Sequence, residues 1–144
     1  MTAIRPMRAD DAASVAELTS QLGYPVDAAE LAARAGEIEA RTTDQILVAA
    51  DARDRPIGWV HVARHATLEM SNTAVIHGLV VDQSTRSSGI GAALVDAAES
   101  WARQHGATSI IVRSRNTRER AHRFYERIGY VEIKRSHVFA RSLV

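Results

Sequence analysis

One stretch restricts the fold more than any other. An apolar run from Thr73 to Asp82 is followed at once by Arg86-Ser-Ser-Gly89-Ile-Gly91, and then by a segment with Ile90, Leu94, Ala98 and Trp101 at helical spacing. The run is rich in Val, Ile and Leu and does not alternate cleanly, as expected of a central strand covered on both faces. A strand that passes through a glycine-containing turn into a helix belongs to a mixed sheet with helices packed on it, not to a bundle or an all-β sandwich. It also creates a chemical opportunity. The first N–H groups of a helix have no partner within the helix, and that end carries a partial positive charge suited to phosphate or pyrophosphate. Gly89 and Gly91 let the backbone approach an anion with no Cβ in the way. Arg86 adds a planar cation with several donors, and Ser87 and Ser88 are small enough to turn donors inward.

The rest of the chain is consistent with such a domain. Thr2 to Met7 reads as a short strand that Pro6 closes. Asp10 or Asp11 can cap a helix carrying Val15, Leu18 and Leu22, which Gly23 and Pro25 end. A second helix runs from Asp27 to about Glu39, with Leu31, Arg34 and Ile38 on one face and Gly36 as a weak point. Gln45 to Ala50 and Ile57 to His65 form a hairpin around the polar turn Asp51–Pro56. Beyond the central strand and the helix from Gly89 to His105, which Gly106 stops, Ser109 to Arg113 is a short buried strand. Asn116 or Thr117 can cap a helix through Ile128, ended by Gly129. Tyr130 to Arg135 and His137 to Arg141 are expected to be two closing strands. The element order is βααβββαβαββ, an α/β (α+β) chain, with 144 residues favouring one domain over 1–144.

Composition removes several function classes. Eighteen basic against seventeen acidic residues give a formal charge of +1, so neither nucleic acid nor an anionic membrane is an expected partner. With no cysteine there is no disulfide, thiolate metal site or cysteine nucleophile. His61 and His65 would share a strand face, but no metal is expected there. The start lacks the apolar core of a signal peptide, and no apolar run reaches the ~20 residues that span a bilayer; a cytoplasmic protein is the expectation. A basic run (Arg113, Arg115, Arg118, Arg120, Arg123 and Arg127) carries aromatic residues only at Phe124 and Tyr125, not a row of platforms on which successive bases could stack. The glycine turn lacks the third Gly of a dinucleotide fingerprint and the Gly-Lys-Ser/Thr of a P-loop.

With the strand Leu79-Val80-Val81-Asp82 before it, Arg86-Ser-Ser-Gly89-Ile-Gly91 resembles the Arg/Gln-x-x-Gly-x-Gly/Ala signature of the GCN5-related N-acetyltransferase (GNAT) family. The later stretch Asn116…Phe124-Tyr125…Gly129-Tyr130 is similar to that family's second motif. The resemblance covers about Ile57 to Val144, and the βαα start more loosely. It implies the GNAT acyl-CoA N-acyltransferase fold, a mixed sheet of about seven strands with four helices, the signature strand splaying from the neighbouring parallel strand. It implies acetyl-CoA as cosubstrate. Backbone groups of Leu79, Val80 and Val81 would meet the acetyl carbonyl and pantetheine, and those of Arg86, Ser87, Ser88, Gly89, Ile90, Gly91 and Ala92 the pyrophosphate. Asn116 would contact the pantetheine arm, and Tyr125 would face the departing thiolate. A tyrosine near pKa ~10 is a weak donor to a more acidic thiol, so its main value would be a hydrogen bond to the developing charge. The other reading of Tyr125 is a core aromatic beside Phe124.

The reaction implied is direct attack by an amine on the thioester in a ternary complex. Alkyl amines are protonated at neutral pH, so a base is needed. His77, on the strand leading into the acetyl site, is the first candidate, and a packed core histidine is its alternative; Glu69 is the second candidate. Thr73 and Val75 stand where some relatives carry a glutamate. The acceptor would be a small-molecule amine held by the first two helices and the loop from Leu68 to Asn72, where Asp27, Glu30, Glu37, Glu39 and Glu69 would attract a cation. Lys134 to Arg141 is similar to the late strands of aminoglycoside 6′-N-acetyltransferases. Protein Nα- or lysine acetylation and a non-catalytic acetyl-CoA sensor are the alternatives. A homodimer is an assembly that relatives often adopt.

Overall fold

Strand pairing, rather than helix packing, sets the frame in which every candidate residue sits. The computed structural model describes residues 2–86, 88–114 and 119–144, which divide into two units, 1–112 and 113–144.

In the first unit, β1 (Ala3–Pro6), β2 (Asp44–Ala50), β3 (Pro56–His65), β4 (Thr73–Val81) and β5 (Ser109–Val112) form one sheet in that order. The first three pairings are antiparallel and the last, β4 with β5, is parallel. A parallel neighbour needs a crossover, supplied by α3 (Ile90–Gln104). Helices cover both faces. On one side α1 (Ala12–Gln21) and α2 (Ala28–Glu39) bring Val15, Leu31, Ala35 and Ile38 against Ile46, Val48 and Trp59. On the other, α3 buries Ile90, Leu94, Val95, Ala98 and Trp101. A Cβ on Gly58 would stand 3.0 Å from Leu94 Cδ1, which shows how closely α3 lies on β3. Burial on both faces explains why β4 reads as an unbroken apolar run. Each fully buried Val or Leu, such as Val60, Val62, Val75 and Leu94, contributes about 1.5–3 kcal/mol of transfer free energy.

The local punctuation follows the sequence. Gly23, Gly106 and Gly129, the expected helix stops, all take positive φ. Asp27 caps α2 by accepting from Glu30 N–H at 2.8 Å, and Gly36 lies inside this helix without breaking it. Arg34 faces solvent, where it pairs with Glu30 at 3.7 Å; Ala35 is the residue that completes the inward stripe. Arg64 donates to the His105 carbonyl at 2.7 Å, placing a cation at the C-terminal end of α3.

Asp10 and Asp11 do not cap α1 as expected. A 3-10 turn, Ala9–Asp11, precedes the helix, and Asp11 is used to fasten that turn to the sheet. Its carboxylate accepts both Arg5 guanidinium nitrogens, at 2.8 and 3.0 Å, and Arg8 N–H at 2.7 Å. Arg5 also donates to Asp54 at 2.9 Å, and Arg8 to Asp54 at 2.7 Å. One network thus ties β1, the start of α1 and the β2–β3 turn together. Burial alone would push the Asp11 carboxyl up, but the Arg5 fork and the Arg8 N–H outweigh it and hold it below its ordinary value.

The second unit holds α4 (Glu119–Arg127) and the closing segment. The two expected strands over Tyr130–Arg135 and His137–Arg141 are absent: 130–144 carry neither helix nor strand, so the described sheet has five strands. Alternation specifies which side of a strand is apolar, but a strand exists only where a neighbour completes its hydrogen bonds. Among the described residues of this unit no strand offers that ladder. Val131 and Phe139 are 81% and 91% exposed. The residues Arg115, Asn116, Thr117 and Arg118 lie outside the described ones, and with them both expected caps of α4.

Two stability measurements check this frame. Asp11→Ala leaves the part-buried Arg5 guanidinium with Asp54 as its remaining carboxylate and removes the acceptor of Arg8 N–H, and is expected to cost about 1–3 kcal/mol at pH 7 by urea unfolding. Because the Asp11 carboxyl is depressed from 3.8 by folding, its contribution is present above that pH and lost as pH falls through the folded value. The gap between wild type and variant should therefore narrow at pH 3. Gly36→Ala adds a methyl where no atom lies within 4 Å, and is expected to raise stability by about 0.5–1 kcal/mol.

Candidate active site

The ladder between β4 and β5 begins at Thr73–Ser109 and ends at Ile76–Val112. β4 continues to Val81, so residues 78–81 pair with β3 on one side while β5 has already stopped on the other. Leu79, Val80 and Val81 lie in this extension. The ladder with β5 ends before this extension because β5 has only four residues.

A bulge lies where the two ladders part. His61 pairs with Gly78, yet Val62 pairs with Ile76, so His77 is the extra residue. Such a two-against-one count bends the strand and re-aims a side chain. Its effect is visible in burial: Ile76 is 1% exposed, whereas His77 is exposed. The imidazole of His77 lies 4.9 Å from that of His61, ring centre to ring centre. The reading of His77 as a packed core histidine is therefore corrected.

Gly78 has its own reason to lack a side chain. A Cβ there would lie 2.7 Å from Trp59 Cη2, so the indole lies against the backbone at the bulge. Trp59 Nε1 is buried and has no hydrogen-bond partner among the described residues.

From Val81 the chain enters a turn that Asp82 organises. Asp82 Oδ1 accepts from Ser84 N–H at 3.3 Å, and its carbonyl accepts from Thr85 N–H at 2.9 Å. Ser88 Oγ donates to the Thr85 carbonyl. Gly89 is the N-cap of α3 at φ +84, a conformation that favours glycine, with open space where a Cβ would stand. Ala93 N–H donates to the Gly89 carbonyl at 3.0 Å, the first bond of the helix. The amides of Ile90, Gly91 and Ala92 therefore precede the helical ladder. Ile90 is anchored in the core, and Arg86 and Ser88 are exposed beside them. Ser87 lies outside the described residues.

The first unit thus brings together His77, Leu79, Val80 and Val81 on one strand, with Arg86, Ser88, Gly89, Ile90, Gly91 and Ala92 on the turn and helix that follow. Tyr125 belongs to the second unit. On α4 it is half-buried, with the Phe124 ring edge-on at 5.1 Å and the Tyr130 ring at 5.8 Å. Asn116 lies outside the described residues. Glu69 is exposed in a turn where Thr67 Oγ1 accepts the amides of Glu69 and Met70, at 3.2 and 3.0 Å.

Sequence reading missed Asp44, whose Oδ2 lies 2.7 Å from His61 Nε2. The spacing of His61 from His65 drew attention to the wrong neighbour. Register places Asp44 opposite Ala63, diagonal to His61, and only a correct hairpin register would have revealed it. No group of three or more His, Asp or Glu among the described residues is placed to share a metal ion. No helix among them is long and apolar enough to cross a membrane.

Comparison with known proteins shows the family and the fold. The chain is 26% identical over 133 residues to an uncharacterized N-acetyltransferase, YhfO, of Bacillus subtilis (strain 168), covering 90% of this chain and 89% of that one. Its fold is shared with AAC(6′)-Iy, solved in complex with the bisubstrate analogue CoA-S-monomethyl-acetylneamine, at a TM-score of 0.86 and 18% identity over 99% of each chain. It is shared equally with the aminoglycoside 6′-N-acetyltransferase AAC(6′)-Ih of Acinetobacter baumannii, at a TM-score of 0.84 and 18% identity over 100% of each chain. Residues 13–130 match the pattern of the acetyltransferase (GNAT) family, and the chain is an acyltransferase enzyme that belongs to that family.

Proposed function

We propose that this enzyme moves an acetyl group from acetyl-CoA to a primary amine of a small molecule, by direct attack in a ternary complex. One observation carries the reading: β4 outruns β5 beside a glycine-capped helix start. An extended ligand arm could add to residues 78–81, past the end of the β5 ladder, as a further strand would, using backbone hydrogen bonds. Leu79, Val80 and Val81 would hold the pantetheine and acetyl carbonyl. The amides of Ile90, Gly91 and Ala92, with Arg86, Ser87, Ser88 and Gly89, would receive the pyrophosphate. Asn116 and Tyr125 would complete the site, Asn116 on the arm and Tyr125 donating a hydrogen bond to the thiolate as the C–S bond breaks. The family match runs from residue 13 to residue 130, across the division at residue 112, which supports a single acetyltransferase domain over 1–144.

His77 is the base of this proposal. The bulge exposes it on the strand that would carry the acetyl group, within reach of solvent that can accept its proton. The small-molecule class is supported by the two aminoglycoside-modifying neighbours and by the acidic α2, where Glu37 and Glu39 are exposed and could attract a cation.

Release of CoA thiol from acetyl-CoA, measured across aminoglycosides, polyamines, amino acids and short peptides, tests the function. The expected result is turnover with a small polyamine or aminosugar; turnover confined to peptides would overturn the acceptor class. Gly91→Glu places a bulky anion at the helix start and should abolish acetyl-CoA binding by calorimetry. Tyr125→Phe should lower kcat by roughly 10²-fold while leaving the KM for acetyl-CoA unchanged.

A further inference from the structure

Asp44 opens β2 with a side chain only 5% exposed, and it is surrounded by donors. Thr43 Oγ1 donates to Oδ1 at 2.7 Å, His61 Nε2 lies 2.7 Å from Oδ2, and the Arg41 guanidinium stands 3.6 Å away. Burial would raise this carboxyl, but the bonds from His61 and Thr43 bring it below its ordinary value. An ionised carboxylate only accepts, so the proton in the short bond belongs to His61 Nε2. The tautomer of the imidazole is thereby fixed, as is its orientation. The His61 ring, 15% exposed, then meets the exposed His77 ring at 4.9 Å and an inclination of 45°. A buried carboxylate, a part-buried imidazole and an exposed imidazole therefore stand in series across β2, β3 and β4, and the series ends at the bulge.

We infer that Asp44 and His61 are positioning residues for His77, ordering its ring and stabilising the charge it gains when it takes a proton from the amine. This rests on the acetyl-transfer reading above. The ammonium substrate gives one proton to the His77 imidazole. The freed lone pair forms the C–N bond as the C–S bond breaks, a second N–H proton ends on the thiolate, and His77 returns its proton to solvent. The overall change is ammonium plus acetyl-CoA to amide, CoA thiol and one proton. A series that ends in a carboxylate favours that transient imidazolium by placing negative charge behind it. The other ionisable groups on the elements packed here are these. Arg41 precedes β2, and β3 adds Arg64, which donates to the His105 carbonyl, and the terminal His65. α1 contributes only Glu17, which lines a cleft with Arg55 and Asp82; α2 contributes Glu30, Arg34, Glu37 and Glu39, all exposed; and α3 contributes Asp96, Glu99 and Arg103.

The test compares Asp44→Asn, His61→Gln and His77→Gln with the wild type in two measurements. His61→Gln keeps a donor for Asp44, so the sheet stays satisfied while the imidazole is lost. The first measurement, NMR titration of the imidazole C2 protons, needs no substrate. In Asp44→Asn the His77 midpoint is expected to move to lower pH, because a negative charge behind the ring has gone. The second is the pH profile of kcat/KM with the amine found by thiol release. His77→Gln should lose about 10²-fold in kcat. Asp44→Asn and His61→Gln should lose about tenfold in kcat, with the KM for acetyl-CoA unchanged, and the rise of kcat/KM with pH should shift downward in Asp44→Asn. A merely structural pair would lower the amount of folded enzyme and leave the His77 midpoint and the profile in place; that result overturns the inference. Wild-type protein that transfers nothing to any amine, while the His77 midpoint still moves, counts against the acetyl-transfer reading and supports the coupling.

Discussion

Everything at the candidate site depends on β4 having two unequal neighbours. Its first four residues are locked on both sides, by β3 and by β5, and are almost inaccessible to solvent. Among the described residues, 78–81 have a ladder on the β3 side only, and the change occurs where the bulge adds one residue. A bulge in a strand held on both sides would break two ladders; placed at the end of β5 it disturbs one. The same short β5 that opens the strand therefore makes the bulge tolerable, and the bulge turns a histidine out of an otherwise apolar core.

The sheet can carry this irregularity because its other side is firmly held. Arg5, Asp11, Arg8 and Asp54 connect β1, the start of α1 and the β2–β3 turn through short, charge-assisted bonds, and α1 and α2 bury a common core with Ile46, Val48 and Trp59. Helix α3 holds the opposite face through Leu94 and Val95 and presents its first turn beside the end of β4. Because Ile90 is buried, the exposed glycine before it is fixed in place; the anchor and the open backbone are adjacent residues. Electrostatic and steric demands on the helix start are met without a separate supporting element.

Much of this was legible from the residues. β4 and α3 were readable because strand and helix signals lie on either side of two glycines, and α1 and α2 because Val15, Leu18, Leu31 and Ile38 repeat at helical spacing. The hairpin from Gln45 to His65 was marked by its polar turn. What could not be read was tertiary. Asp11 looks like a cap in sequence and serves as a clasp in the fold, because Arg5 comes from a different element. The closing segment alternates as a strand should, with Val131 and Ile133, yet alternation cannot supply the neighbour that a ladder requires. The pairing of Asp44 with His61 depends on hairpin register, and the exposure of His77 on a single inserted residue; neither leaves a trace in local composition.

The indole at position 59 has a consequence of a different kind. Its N–H is sealed from water and from every acceptor among the described residues, a condition that typically costs about 1–3 kcal/mol. The ring nonetheless occupies the space that Gly78 leaves open beside the bulge. This patch of sheet is thus held away from its thermodynamic optimum by one nitrogen atom. A library selected for heat resistance alone would gain by trading the indole for an apolar ring, and its survivors would reveal, through the activity they keep or lose, how much of that inefficiency belongs to catalysis.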